Sequence, residues 1–405
     1  MTADVLVVGG GPVGLTTALT LIHAGFSVSM VDAQPGLPVP PSGPFELRVS
    51  AITRAAEALL THYGVWTQMP GERRQAFENM RVWDAGSSGE LHFDAADIGE
   101  PHLGTMLENS ALASALAAVL GEFEAAQFTW RRGAVLESLH VDDEGVVARV
   151  SGEVMRAQLV VGADGAESKV RQLSELTTRR RDYHQAGVVA TLRTAQPHLC
   201  TAWQRFLPTG PIALLPLPGD FSSIVWSTQP EDAVGLVVMP AERFNAAVND
   251  ALENRFVEVV WSGERGQFPL RRVEAVDYVA PRTVLVGDAA HTIHPLAGQG
   301  LNLGLLDAAA LAQVMADARV AGRNPFSHVT LRRYERWRKT HNLAVQNGMD
   351  ALRWIYAQQQ PAVRSARGLG MGVVNTVIPA KTMLTELASG VTGDLPAACR
   401  GGSAP

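Results

Sequence analysis

Apolar residues in this chain come in short blocks, and the spacing within each block separates strands from helices. Asp4-Val5-Leu6-Val7-Val8 is a β-branched apolar run that predicts a strand. Gly9-Gly10-Gly11-Pro12-Val13-Gly14 follows at once, and residues 15–24 have helical character up to Gly25. Residues 27–31 predict a second strand, ended by Asp32. The same strand-to-helix grammar returns twice. Leu159-Val160-Val161-Gly162 runs into Ala163-Asp164-Gly165, with Ser168, Val170 and Arg171 at the start of a helix. Thr283-Val284-Leu285-Val286 runs into Gly287-Asp288, crosses a Gly/Pro-rich stretch to Asn302 and enters a helix over 303–315. Residues 53–63 and 110–120 predict further helices. Four short runs, 188–192, 203–206, 212–215 and 223–226, predict strands separated by turn signals. Residues 342–392 are helical, broken at Pro361 and Pro379, and the tail 401–405 is expected to be disordered.

Composition narrows the class without changing this picture. With 405 residues the chain can bury a large core in two or three units, and 46% apolar content is ordinary for a globular enzyme. A net charge of −6 and the lack of a basic run argue against nucleic-acid binding. Two cysteines, Cys200 and Cys399, far apart and without metal-type spacing, argue against a disulfide framework or a Cys-based metal site and fit a reducing compartment. No apolar stretch is long enough to span a bilayer, and the N-terminus reads as a strand rather than an export signal.

Chemistry enters with the first block. G-x-G-x-x-G between a strand and a helix, with an acid closing the next strand, is a dinucleotide fingerprint. Gly9 permits the tight turn, Gly11 lets a pyrophosphate approach the backbone, and Gly14 lets the helix pack close to the strand. Asp32 stands where an acid binds adenosine ribose hydroxyls. The fingerprint does not separate NAD from FAD, and it occurs once. Asp164-Gly165 alone reads equally well as a common Asp-Gly turn. Arg48 either approaches a phosphate or flavin edge or sits on a solvated face; Asn109 either caps a helix or binds a ribityl hydroxyl. His291 and His294 invite an acid–base reading, though a His beside a strand end is more often structural.

These pieces in this order resemble the single-component FAD aromatic hydroxylases, the group of p-hydroxybenzoate hydroxylase, and more closely the ring hydroxylases of ubiquinone biosynthesis. The closer resemblance is carried by Arg48-Val49-Ser50-Ala51, Glu108-Asn109, the run from Trp203 to Leu217, Ile224-Val225-Trp226-Ser227, His294 to Gly300, and Tyr334-Glu335-Arg336-Trp337-Arg338. It implies an α/β fold: a Rossmann-like FAD-binding domain, an inserted mixed β-sheet substrate domain and a C-terminal helical segment. The FAD-binding parts are expected at 1–80, 106–180 and 268–341, a substrate-domain hairpin at 81–105, the substrate sheet at 181–267 and the helical segment at 342–405. Gly9, Gly11, Pro12, Gly14 and Asp32 are then the ADP half-site, and Arg48 lies near the flavin and its pyrophosphate. Asn109 stands where related enzymes use Arg or Gln on FAD hydroxyls. Asp164 and Gly165 are linked to FAD and reductant access, and Asp288 to the ribityl oxygens. Pro295 lies against the reactive flavin edge, with Gly298, Gln299, Gly300, Leu301 and Asn302 presenting backbone N–H groups to the pyrimidine ring.

The resemblance also implies a reaction. A reduced flavin adds O2 at C4a, and the hydroperoxide passes one oxygen to an electron-rich phenol. The protein orients the ring and excludes water while Pro295, Gly298 and Gly300 line the flavin edge, with no protein nucleophile required. The implied substrate is a polyprenylated phenol, and the reductant is NAD(P)H or a ferredoxin-type electron-transfer protein. Implied partners are proteins of a quinone-biosynthesis complex and, through the C-terminal helices, a membrane surface. The implied place is peripheral to the bacterial inner membrane, or its mitochondrial counterpart on the matrix side. Leu214 to Leu217 are either a tunnel for a prenyl tail or plain core. The alternatives are an FAD hydroxylase of another phenolic or polyketide substrate, a reductase of isoprenoid lipids, and a non-catalytic flavoprotein subunit. A related halogenase is disfavoured, since its Trp-x-Trp-x-Ile-Pro motif is missing.

Overall fold

β1 (Thr2–Val8) is the centre of a parallel sheet because its side chains are apolar on both faces: Val5, Leu6 and Val7 are all buried. A computed structural model describes residues 2–253, 255, 258–293 and 298–401. The first sheet has the order β17 (Val279–Ala280), β18 (Thr283–Leu285), β11 (Glu153–Gly162), β1, β2 (Val28–Asp32) and β8 (Phe128–Arg132). β18, β11, β1, β2 and β8 are mutually parallel, and β10 (Val146–Val150) and β9 (Leu136–Val141) continue antiparallel from β11. α1 (Pro12–His23) packs against α8 (Gln299–Val320) and α4 (Asn109–Leu120), burying one core with the strands. The ends of β1, β11 and β18 therefore point to one edge, where the three Gly/Asp-rich turns meet.

The second sheet runs β19 (His291–Thr292), β16 (Val259–Ala275), β12 (Thr178–Thr194), β15 (Phe221–Thr228), β14 (Gly210–Pro216), β13 (Thr201–Leu207), β5 (Asn79–Asp84) and β6 (Glu90–Asp94). It is mixed, because β5 joins β13 in parallel while its other pairs are antiparallel. Val188, Ile212, Leu214 and Ile224 face α6 (Pro230–Val238) and α7 (Ala241–Ala251) and form a second core. The opposite face carries a cross-strand row, Val82, Gln204, Ala213, Val225, Val189 and Gly266. Strand alternation divides the Leu214–Leu217 run. Leu214 is core, while Leu215 and Ala213 are half-buried on the open face, and Leu217, past the end of β14, is buried.

A small third sheet, β3 (Val49–Thr53), β7 (Gly104–Glu108) and β4 (Arg74–Phe77), lies beside α2 (Arg54–His62) and the short α3 (Val65–Gln68). Residues 49–53, part of which was expected to start a helix, are strand, and α2 begins at Arg54. All five expected domain limits fall inside single elements: 80/81 inside β5, 105/106 inside β7, 180/181 inside β12, 267/268 inside β16, and 341/342 inside α9 (His328–Ala357). β16 stays in one sheet to Ala275 because it pairs with β12 throughout. Pro361 and Pro379 stand in the first turns of α10 (Pro361–Thr376) and α11 (Ile378–Ser389), where a missing N–H costs nothing. The expected disorder of the tail concerns residues of which 402–405 lie outside the described set.

The two C-terminal helices fold back on the β5–β6 hairpin through charges turned inward. Arg367 donates Nε to Asp84 Oδ2 (2.8 Å) and Nη2 to Asp84 Oδ1 (2.9 Å), with both side chains buried. Arg364 donates to the Gly86 carbonyl (2.7 Å), and Lys381 pairs with Asp97 (2.6 Å). Phe206 and Tyr356 stack at 3.6 Å between β13 and α9.

Candidate functional site

The first turn works by close approach. Gly9 has φ +112, and a Cβ there would lie 2.4 Å from the Ala163 carbonyl oxygen, on the backbone that leads into Asp164. A Cβ on Gly14 would lie 1.9 Å from the Gly9 oxygen, so only glycine lets α1 start against the turn. A Cβ on Gly10 would meet Asp32 Oδ2 at 2.2 Å, so Gly10 makes room for the acid. Gly11 is different. Nothing lies within 4 Å of a Cβ there, and α1 has no side chain capping its N-terminus. That open cradle at a helix N-terminus suits a pyrophosphate, with Asp32 at the end of β2 for ribose hydroxyls.

The other turns lock onto this one. Gly287 (φ +58) and Gly304 both pack on Val13 at the start of α1, which brings Asp288 beside the fingerprint. Arg171 is buried and donates to the carbonyls of Ala289 (2.7 Å) and Ala166 (2.6 Å), joining the middle motif to the loop after Asp288. Asp164 accepts from Ser168 Oγ (2.5 Å) and from the backbone N–H of Lys169 (2.6 Å) and Val170 (3.1 Å). Its carboxylate is therefore occupied in starting α5 (Lys169–Leu173), and its place at the site is structural support behind Gly9. Gly165 takes φ +81.

Asp288 sits in a recess: water reaches its side chain at the mouth, and protein surrounds it elsewhere. Desolvation raises its carboxyl above the usual range, while the charges of His291 and Arg48 pull it down. Arg48 is thus close enough to act on the same recess, and its carbonyl accepts the Asn109 N–H (3.0 Å). Asn109 caps nothing. Its Oδ1 accepts from Ser50 Oγ (2.7 Å), and Glu108 holds the N-cap position of α4 without a side-chain capping bond, its carboxylate accepting instead from the Glu46 N–H (2.7 Å) and Arg73 (3.2 Å).

Gly298, in the left-handed region at φ +62, caps α8 and lies over Ala51 of β3. The first turn of α8, with Gln299, Gly300 and Leu301, has no side-chain cap from Gly298, and among the described residues its N–H groups are left to meet an electron-rich ring edge. Asn302 serves the fold through its side chain. It donates to the Ala51 (2.7 Å) and Gly298 (3.2 Å) carbonyls and accepts from the Thr53 N–H (2.9 Å), stapling α8 to β3. Gln299 reaches the Ala388 carbonyl of α11 (3.3 Å). Pro295, expected at the flavin edge, and His294, Leu296 and Ala297 lie outside the described residues.

Sequence reasoning missed the hub beneath this loop. Asp307 of α8 is fully buried; its Oδ2 accepts from the Gly287 N–H (3.1 Å) and His291 Nε2 (2.5 Å). Its Oδ1 accepts from Arg338 Nε (2.8 Å) and Asn342 Nδ2 (3.2 Å) of α9. Burial alone would raise this carboxyl, but His291 and Arg338 hold it well below the usual carboxylate range. His291 is accordingly a structural hydrogen-bond partner of Asp307. The signal was an acid in an otherwise apolar helix, Gly304-Leu305-Leu306-Asp307-Ala308, which demands a buried partner.

Comparison with known proteins adds to this geometry. A family model described as an FAD binding domain matches residues 2–346. Ubiquinone hydroxylase UbiL of Rhodospirillum rubrum is 38% identical over 389 residues, 96% of this chain and 90% of that protein. The 3-demethoxyubiquinol 3-hydroxylase of Escherichia coli is 37% identical over 370 residues, 91% of this chain and 93% of that protein. The crystal structure of p-nitrophenol 4-monooxygenase from Pseudomonas putida superposes with a TM-score of 0.76 at 20% identity, covering 96% and 98% of the two chains, a likeness of fold.

Two expected outcomes test the site. Gly11→Ala and Gly14→Ala should each weaken dinucleotide binding by about tenfold or more, read by reconstituting the apoprotein. Only Gly14→Ala should also lower the apoprotein's melting temperature, because only there does the methyl meet protein. The second concerns Asp288. Its carboxyl titrates above its unfolded value, so the ionised form opposes folding above that value, and Asp288→Asn should stabilise the apoprotein at neutral pH. Ribose-type hydroxyls donate to the ionised form, so cofactor affinity should fall as acid protonates Asp288, and the Asn variant should bind weakly without that pH dependence.

Proposed function

This chain belongs to the FAD-dependent aromatic-ring hydroxylases of ubiquinone biosynthesis, and we propose that its substrate is a polyprenylated phenol or quinol. One atom of O2 goes to the ring, and the electrons come from NAD(P)H or a ferredoxin-type protein. FAD, when bound, supplies the oxygen activation and transfer. The residues present fit it: the open Gly11 cradle and Asp32 for the ADP half, Asp288 for the ribityl chain, and the uncapped start of α8 for the pyrimidine edge.

The observation that carries the substrate reading is the uncharged row on the open face of the second sheet. Gln204, Ala213 and Val225 are half-buried and adjacent across three strands, with Leu215 one pleat away. Leu47, next to Arg48, lies over Gly266 at the end of the same row, so the row and the flavin recess share one cleft. A neutral, small-residue wall admits an apolar ring, and Gln204 is the polar group on the row that can bond a phenol oxygen. With no acid or base on this row, the protein's contribution is orientation and exclusion of water.

The long apolar tail of such a substrate resides in a bilayer, and the C-terminal helices support peripheral contact with one. Leu369, Val373, Ile378, Met383, Leu384 and Leu387 are exposed on α10 and α11, as are Val377 between them and Trp354 near the end of α9. From 365 to 388 none of the exposed described residues is charged. Among the described residues no helix is long and apolar enough to cross a membrane, so this surface would lie on it. Proteins of a quinone-biosynthesis complex are the further partners this reading implies.

Mass spectrometry of turnover with isotope-labelled O2 and a short-tailed prenylphenol should find one labelled oxygen on the ring. Unlabelled product, or none, overturns the reading. The membrane part predicts that the holoprotein floats with phospholipid vesicles and that Val373→Glu with Leu387→Glu abolishes flotation while the protein stays yellow.

A further inference from the structure

α9 grips both halves of the cleft. At its N-terminal half Arg338 and Asn342 hold Asp307, and through it the Gly287 N–H and His291 of the flavin-facing loop. Twelve residues beyond Arg338, about 18 Å along the axis at ~1.5 Å per residue, Asp350 holds the substrate sheet. Its Oδ1 accepts from Tyr183 Oη of β12 (2.5 Å), and its Oδ2 from Arg272 Nη1 of β16 (2.6 Å). Arg272 also donates to Asn347 of α9 (3.2 Å) and to Glu274 (3.1 Å). A third side closes the figure. β19, which carries His291, pairs with β16 at Glu274 and Val273, the residues after Arg272. Loop, sheet and helix thus form a closed triangle whose corners are Asp307, the β19–β16 pair and Asp350.

We propose that Asp350 is a positioning residue for ring hydroxylation: it closes this triangle and so sets the substrate-bearing sheet relative to the flavin-facing loop. The inference rests on the hydroxylase reading above. Asp350 lies more than three helical turns along α9 from Arg338, and among the described residues its hydrogen-bond and ion-pair partners are Tyr183, Arg272 and Arg181, none of them in the dinucleotide cradle, so its effect falls on alignment and not on cofactor binding. Half-buried between an arginine and a tyrosine, it cannot be replaced by an amide without losing charge-assisted bonds. Small misplacements of a reacting ring are costly, since the oxygen that misses it is lost to water as hydrogen peroxide.

The test uses holoprotein loaded with excess FAD, photoreduced without oxygen, mixed with a short-tailed prenylphenol and then with O2. Asp350→Asn should keep FAD affinity within about twofold of wild type. Its hydroxylated product per turnover should fall by roughly threefold or more, with a matching rise in hydrogen peroxide. Tyr183→Phe should do the same more weakly, and Asp350→Glu should recover part of the yield. Wild-type product yield in Asp350→Asn, or a yield that falls only in step with lost FAD, overturns the inference while the functional reading stands. A wild-type protein that forms no hydroxylated product overturns both.

Discussion

A single fully buried carboxylate, Asp307, holds the turn from Gly287 to His291 in place. An ionised group so buried survives only with its charge compensated and its lone pairs filled, and here four donors from three segments do both. The consequence is directional. Because the Gly287 N–H is one of those donors, the turn that presents Asp288 cannot drift without unpairing Asp307, and with it Arg338. Removing one partner of such a cluster leaves a buried charge unmatched, a loss of about 3–5 kcal/mol in comparable cases. The loop is held by that penalty more than by any strength of the individual bonds.

Close approach is the second constraint and acts on the backbone. Gly9 against Ala163, Gly14 against Gly9, and Gly287 and Gly304 against Val13 bring three chain-distant turns to one edge of the first sheet. The site so made is mostly peptide: helix N-termini, a glycine cradle and two acids. That suits a reaction in which the cofactor carries the chemistry and the protein aligns two rings in a dry cleft. It also explains why Asp164 and Asn302 look like site residues in the sequence. Both stand at the site, yet their side chains are spent on building it, Asp164 on α5 and Asn302 on β3.

What the sequence made legible was local. Strand, glycine turn and helix follow one another within a few residues, so the fingerprint, the middle motif and the Gly-Asp loop are read from adjacent positions. The row on the open face needed only strand alternation and register. Three things were hidden because their partners are far away in the chain. β3 is a strand only because β7 lies beside it, and residues 49–53 alone pass for the approach to a helix. β16 carries Glu264, Arg265, Arg271 and Arg272, which mask its apolar alternation, and its length follows from pairing with β12. Asp307 finds its meaning in Arg338 and Asn342, which no spacing rule connects to it.

The C-terminal helices invert the usual order of polarity, and that inversion has an energetic reading. On α10 and α11 the charges Arg364, Arg367 and Lys381 point inward to Gly86, Asp84 and Asp97, while Val373, Ile378 and Leu387 point outward. Inward charges cost desolvation, repaid here by bidentate geometry at Asp84. Outward apolar side chains cost roughly 25 cal/mol for each Å² left in water. A helix pair free to rotate would lower both costs by turning over. The Asp84–Arg367 pair forbids that turn, so the molecule maintains an outer face that water disfavours. Such an arrangement is stable in water only because the anchors are strong, and it becomes favourable where the medium against that face is itself apolar. The anchoring hairpin belongs to the substrate sheet, which places the apolar face on the same lobe as the wall that would receive an apolar ring.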